Sequence, residues 1–243
     1  NNTAIGFESM TANTTGANNV ALGAYSLYSN TTASNNTSVG YDALGDCTTG
    51  FSNVAVGHNA LNALTDADEN TAVGKDALGA LTTGNYNTAM GFEALATVTT
   101  GTQLAAFGRH ALALNTTGSQ NTALGYSALY ANTTGTSNTA AGYASLTSNT
   151  TGDANTAFGR DALYANTTAD NNTAVGHDTL TANTTGSSNN AFGAESMITN
   201  TTGIQNCAFG TQSLKTNNGN YNNAFGHQTL ELNTTGTQNQ AFG

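Results

Sequence analysis

The chain has 243 residues, of which only 7% are charged and 7% aromatic, with no Pro, no Trp and 28 Gly. This excludes an ordinary core ringed by ion-paired helices, and the absence of high charge or Pro argues against disorder. The net charge of −10, with four basic residues, argues against a nucleic-acid groove or docking on an anionic membrane. No apolar run approaches the ~20 residues of a membrane span, and no signal peptide is visible.

Taken from the start, the chain repeats itself. A Gly closes a short motif at Gly6, Gly23, Gly40, Gly57, Gly74 and Gly91, and continues through Gly108, Gly125, Gly142, Gly159, Gly176, Gly193 and Gly210, always 17 residues on. Gly226 follows after 16, where "KTNNG" replaces turns such as "YANTTG", and Gly243 after 17 again. Numbered from its first Asn, the repeat reads N-T-A-φ-G-x-x-A-L-x-x-N-T-T-G-x-x, with φ apolar. A chain that opens on "NNTAIG" and closes on "NQAFG" reads as a window of a longer array, residues 1–243 forming one repeat domain.

A 17-residue unit is too short for the helical hairpins of other repeat families. Two short strands fit, at positions 1–4 and roughly 7–11. The Gly at position 5 permits a corner, and "NTTG" permits a second turn through Asn and Thr side chains that bond nearby backbone. The expected fold is all-β: a parallel β-solenoid, one coil per repeat, about 14 coils, each too small to fold alone and stabilised by stacking on its neighbours.

Side chains alternate along a strand. Ala at position 3 and φ at position 4 then point oppositely, as do the small residue at 8 and Leu at 9. Both faces of both strands are apolar or small. Strands apolar on both faces are usually covered on both, which predicts self-association into a parallel bundle of identical chains.

Copies such as "NVALG" (19–23) and "NVAVG" (53–57) resemble the head repeats of trimeric autotransporter adhesins. The fuller pattern, over all 243 residues, resembles repeats of phage tail-fibre-like and bacterial surface proteins. The resemblance implies a left-handed parallel β-roll, three chains to a fibre, displayed extracellularly on a cell surface or virion. The adhesin period is shorter, so the second half of this coil must differ.

Candidate sites are few. The histidines are His58, His110, His177 and His227, spread over different coils. His177 and Asp178 are expected to point apart along a strand, and no catalytic set converges. The chain therefore reads as non-enzymatic, without cofactor. Carboxylates recur at position 7 (Glu8, Asp42, Asp76, Glu93, Asp161, Asp178, Glu195), suggesting a solvated row or ion pairs with Lys75, Arg109 and Arg160 rather than a metal site. Cys47 and Cys207 lie more than nine coils apart and read as packed thiols, beyond the reach of a disulfide. Position 6 offers ligand-contact candidates, a column able to stack on sugar rings: Tyr41, His58, Phe92, Arg109, Tyr126, Tyr143, Arg160 and His177.

The turn asparagines Asn13, Asn30, Asn115, Asn132, Asn149, Asn166, Asn183, Asn200 and Asn233 match a glycosylation acceptor pattern. Four successive coils place Cys47, Leu64, Leu81 and Val98 in that slot, which favours an inward amide ladder instead. The first-strand asparagines Asn2, Asn19, Asn36, Asn53, Asn70, Asn87, Asn121, Asn138, Asn155 and Asn172 form the second ladder, interrupted by Leu104. The functional expectation is a rigid, adhesive segment of an extracellular fibre. The alternatives are a glycan-coated filament and a carbohydrate- or ice-binding solenoid.

Overall fold

A computed structural model describes all residues, 1–243. There is no helix; the chain is a parallel β-solenoid with one three-residue strand per coil. It forms two compact units, residues 1–120 and 121–243. The first holds β1 (Thr3–Ile5), β2 (Val20–Leu22), β3 (Thr37–Val39), β4 (Val54–Val56), β5 (Thr71–Val73), β6 (Thr88–Met90) and β7 (Ala105–Phe107). The second holds β8 (Thr122–Leu124), β9 (Thr139–Ala141), β10 (Thr156–Phe158), β11 (Thr173–Val175), β12 (Asn190–Phe192), β13 (Cys207–Phe209), β14 (Asn223–Phe225) and β15 (Gln240–Phe242). Within each unit strands pair in chain order, parallel and in register, so that Ala72 sits beside Ala55 and Ala89. Across the short repeat the register is kept, Ala208 pairing with Ala224.

The strand behaves as its alternation predicts. Position 3 points inward and is fully buried as Ala55, Ala72 and Ala89. Position 4 points outward, and Met90, Phe107, Leu124 and Phe158 are exposed. Position 5 turns the first corner at φ near +140°, a region open in practice only to Gly. The backbone of the next coil's corner lies where its side chain would be.

The expected second strand is absent. Positions 7 to 11 form successive turns, because positions 7 and 9 both adopt the left-handed conformation: φ is 56° at Asp76 and 52° at Leu78. Ala77 N–H donates to Gly74 O at 3.4 Å and Leu81 N–H to Leu78 O at 3.2 Å, closing two turns inside one coil. Asp76 N–H and Leu78 N–H reach in opposite directions, to His58 O at 2.9 Å and Ala94 O at 3.0 Å, in the coils on either side. The left-handed residues cancel the two-residue alternation of a strand. Positions 8 and 9 therefore both point inward, as Ala43 and Leu44 do, contrary to the expectation that they oppose. Only the first strand presents an apolar outer face.

The interior is thus a column of Ala at position 3, small residues at position 8 and Leu at position 9, with Met10 and Met197 as variants. Ser38, the one non-Ala at position 3, is satisfied: its hydroxyl donates to Ala43 O at 2.7 Å and receives that of Ser26 at 2.7 Å, as a buried hydroxyl requires.

Candidate functional site

Two amide ladders line the interior. At position 1 the Asn Nδ2 usually donates to the position-15 carbonyl of its own coil, and Oδ1 accepts the N–H of the next coil's position 1. Asn53 shows both bonds, to Ala67 O at 2.8 Å and from Asn70 N at 2.9 Å. Asn138 repeats them with Gly152 O at 2.8 Å and Asn155 N at 2.9 Å. The ladder extends beyond the expected set to Asn189, Asn206, Asn222 and Asn239. Leu104, which interrupts it, still donates its N–H to Asn87 Oδ1 at 3.0 Å.

The second ladder is the turn asparagine. Asn30, Asn115, Asn132, Asn149, Asn166, Asn183 and Asn200 are fully buried, while Asn13 and Asn233 are half-buried. Each Nδ2 points inward: that of Asn149 donates to Asn132 Oδ1 at 2.9 Å and to Gly152 O at 3.0 Å. In the apolar run Cys47, Leu64, Leu81 and Val98 fill the same slot, all fully buried. Cys47 Sγ lies 3.4 Å from Gly50 O, taking the place of the amide donor.

Burial pushes the Cys47 thiol up to about 12. Cys207 is not packed as expected: it stands on the outer strand face between Asn190 and Asn223, half-buried, its thiol raised more modestly by desolvation. Thiolate is the reactive species, so a thiol reagent on the native protein is expected to label Cys207 well before Cys47. Denaturation should release both at once. Because the Cys47 thiol holds its proton more tightly folded than unfolded, its contribution is complete below the ordinary thiol range. It is lost as pH rises toward 12, and alkaline unfolding is the measurement that shows it.

The position-6 candidates are all exposed, but they form local clusters rather than one column. Tyr41 stacks on His58 with centroids 5.2 Å apart, and Tyr126 on Tyr143 at 5.3 Å with planes 8° apart. Phe92 lies between two cations, with Lys75 Nζ 5.3 Å and Arg109 Cζ 5.6 Å from its ring centre. Arg160 bonds the adjacent Asp161 at 2.9 Å. His177 Nδ1 lies 3.1 Å from Asp178 Oδ2, whereas an extended strand would separate them. The left-handed Asp178, at φ 55°, brings the two side chains together.

Five of the seven position-7 carboxylates, Asp76, Glu93, Asp161, Asp178 and Glu195, each lie beside one basic side chain. Asp76 pairs with Lys75 at 2.5 Å, and this hydrogen bond raises the lysine above its usual range. Glu93 lies 3.2 Å from His110. Hydrogen bonds from Gln212 at 3.0 Å and Lys215 at 3.2 Å hold the Glu195 carboxyl below the usual carboxylate range.

The outer strand face is a feature that sequence reading only half identified. Positions 1–4 of all fifteen strand motifs carry no charged residue, although the chain is strongly acidic. Position 4 grows more aromatic along the second unit. Phe192, Phe209, Phe225 and Phe242 stack with centroid spacings of 4.5, 5.2 and 5.3 Å and planes within 7° of parallel. Beside them position 2 changes from Thr to Asn190, Cys207, Asn223 and Gln240. The run of Phe at every coil was the available signal.

The arrangement can pack against another surface and stack on planar or apolar groups. No protein-family model and no curated protein matches the chain.

Proposed function

We propose that the chain is a structural and adhesive segment of an extracellular fibre, associating with copies of itself in parallel, three to a fibre. The observation that carries this reading is the charge-free outer face of the strand. Apolar residues at position 4 leave large exposed side chains in register through each unit, Met90, Leu124 and Phe158 among them. Interface cores are depleted of charge, and contiguous exposed apolar surface marks interaction sites. Two chains of net charge −10 approach each other at least cost through the one face that carries none. Identical chains aligned in parallel bring identical rows together at every coil.

The mechanism is geometric. Repetition sets length, stacking sets stiffness, and the exposed clusters around Tyr41–His58 and Tyr126–Tyr143 offer stacking contacts to a cell-surface glycan or receptor. The glycan-coat alternative has less support, because the amide nitrogens that would carry sugar are buried hydrogen-bond donors.

Sedimentation equilibrium tests the reading. The expected mass is a small multiple of 24.5 kDa, three chains by the resemblance. A carboxylate introduced on the outer face, Val73→Glu or Phe209→Glu, is expected to dissociate the assembly while leaving the circular dichroism of each chain unchanged. Both positions point outward, so the coil itself is not overpacked. A wild-type protein that stays monomeric at high concentration would overturn the proposal.

A further inference from the structure

The coil of sixteen residues, 206–221, contains a site of a different kind. In every full coil position 13 is Thr, and its backbone carbonyl caps the turn of the coil before it. Thr48 O, for instance, accepts the N–H groups of Thr31, Thr32 and Ala33 at 3.1, 3.2 and 3.3 Å, and the Thr31 hydroxyl at 3.0 Å. The short coil has Asn218 at this position, and its side-chain oxygen replaces the carbonyl. Asn218 Oδ1 lies 3.1, 3.0 and 3.2 Å from the N–H groups of Thr201, Thr202 and Gly203. The Thr201 and Thr202 hydroxyls lie 3.2 and 3.3 Å away. The residue's own N–H donates to Thr234 O at 2.7 Å, keeping the stack continuous.

Five donors converge on one neutral amide oxygen with two lone pairs. Successive backbone N–H groups in a turn form an anion-binding concavity, and the oxygen that suits it best carries negative charge. Asn218 is also followed by Gly219, the chain's one Asn-Gly pair, and glycine carries no side chain to shield its nitrogen. Gly219 itself is buried, and its N–H donates to the buried Asn217 Oδ1 at 3.2 Å, so that bond must open locally for the nitrogen to meet base and react. Asn218 is exposed, so water reaches it.

We propose that Asn218 is a self-modification site, where the amide converts to a carboxylate that the five-donor pocket retains. The Gly219 nitrogen loses its proton to solvent base and attacks Asn218 Cγ, forming a C–N bond. The charge that develops on Oδ1 falls where the donors already point, the geometry of an oxyanion hole. The carbonyl re-forms as the Cγ–Nδ2 bond breaks, and ammonia leaves with a proton from water, giving a cyclic imide. One water then adds at Cγ, the carbon held in the pocket, and reopens the ring to the ordinary aspartyl linkage. The net change is one water consumed and one ammonia released, with no oxidation.

The experiment incubates the full chain, folded and urea-denatured, at the same mildly alkaline pH and follows the tryptic peptide after Lys215 by mass spectrometry. Conversion at Asn218 is expected to be several-fold faster in the folded chain, and to yield more aspartate than isoaspartate. The double variant Thr201→Ala, Thr202→Ala, which keeps the N–H donors and removes both hydroxyls, is expected to slow it. A folded rate equal to or below the denatured one would overturn the proposal. Independently, the Asn218→Asp protein should melt above the wild type at neutral pH, with the advantage lost as acid protonates the carboxylate. A lower melting temperature at neutral pH would equally count against the pocket.

Discussion

Gly74→Ala, at one of the corner glycines, is expected to be strongly damaging, and Gly84→Ala, ten residues on, to be tolerated. Gly74 sits at φ +137°, where an L-residue stores about 1–3 kcal/mol of strain. Its missing side chain is also the space filled by the Gly91 carbonyl of the next coil. That carbonyl is main chain, tied into a stack in which Gly74 N–H itself donates to Val56 O at 2.8 Å. A methyl group must displace that carbonyl while the backbone is held in a conformation that L-residues avoid, so the outward and inward hydrogen bonds of that corner weaken together. The loss should exceed the strain alone and reach several kcal/mol. A methyl group on Gly84 would meet the Gly101 carbonyl of the next coil at least as closely, but the φ of Gly84 is ordinary, and Ala33, Ala67 and Ala169 occupy the same repeat position, so the coils accommodate a methyl group there. Its replacement should cost about 1 kcal/mol or less. Urea unfolding followed by circular dichroism distinguishes the two. Equal destabilisation would show that coil separation, rather than corner conformation, decides which glycines are required.

The period, the glycine corner and the inward amide ladder were legible in the sequence, because each leaves a mark at fixed spacing. The position-12 column was readable through its exceptions: Cys47, Leu64, Leu81 and Val98 make sense only indoors, and all are buried. The second half of the coil was not legible. Leu78 and Asp76 adopt left-handed backbone, which costs a non-glycine residue roughly 1–2 kcal/mol, and nothing in their chemistry advertises it. The neighbouring coils impose it: Leu78 N–H reaches Ala94 O and Asp76 N–H reaches His58 O, bonds that no local signal encodes. From that one error came the opposed placing of positions 8 and 9 and the separation of His177 from Asp178. The Asn218 pocket left a fainter trace. The missing turn residue was visible, but the change from Thr to Asn beside it reads as drift until the donors of the preceding coil are in place.

The two ladders look alike in sequence and should differ sharply under substitution. Asn138→Leu is expected to cost about 2–4 kcal/mol, from one orphaned buried donor plus lost side-chain bonds. Asn138 Oδ1 is the acceptor for Asn155 N–H at 2.9 Å, and that backbone donor is buried with no other partner in reach once the amide is gone. Asn149→Leu removes as many side-chain bonds but strands less. Gly152 O keeps the Asn138 amide at 2.8 Å, and the Asn166 amide keeps Ala169 O at 3.1 Å. The site also accepts aliphatic volume, as Leu64 and Leu81 show in the same slot, so a cost within about 1 kcal/mol is expected, offset in part by the burial gained. Leu104 is the informative exception at position 1. It packs where Val98 has already made the turn apolar: a methyl group placed on Gly101 would touch both side chains. The one leucine at position 1 thus stands against the apolar turn of the preceding coil, although its own coil closes on the buried Asn115. Combining Asn138→Leu with Asn132→Val should recover part of the loss. Should the single variants Asn138→Leu and Asn149→Leu prove equally stable by urea unfolding, the ladder at position 1 would be a packing row rather than the acceptor that each coil supplies to the next.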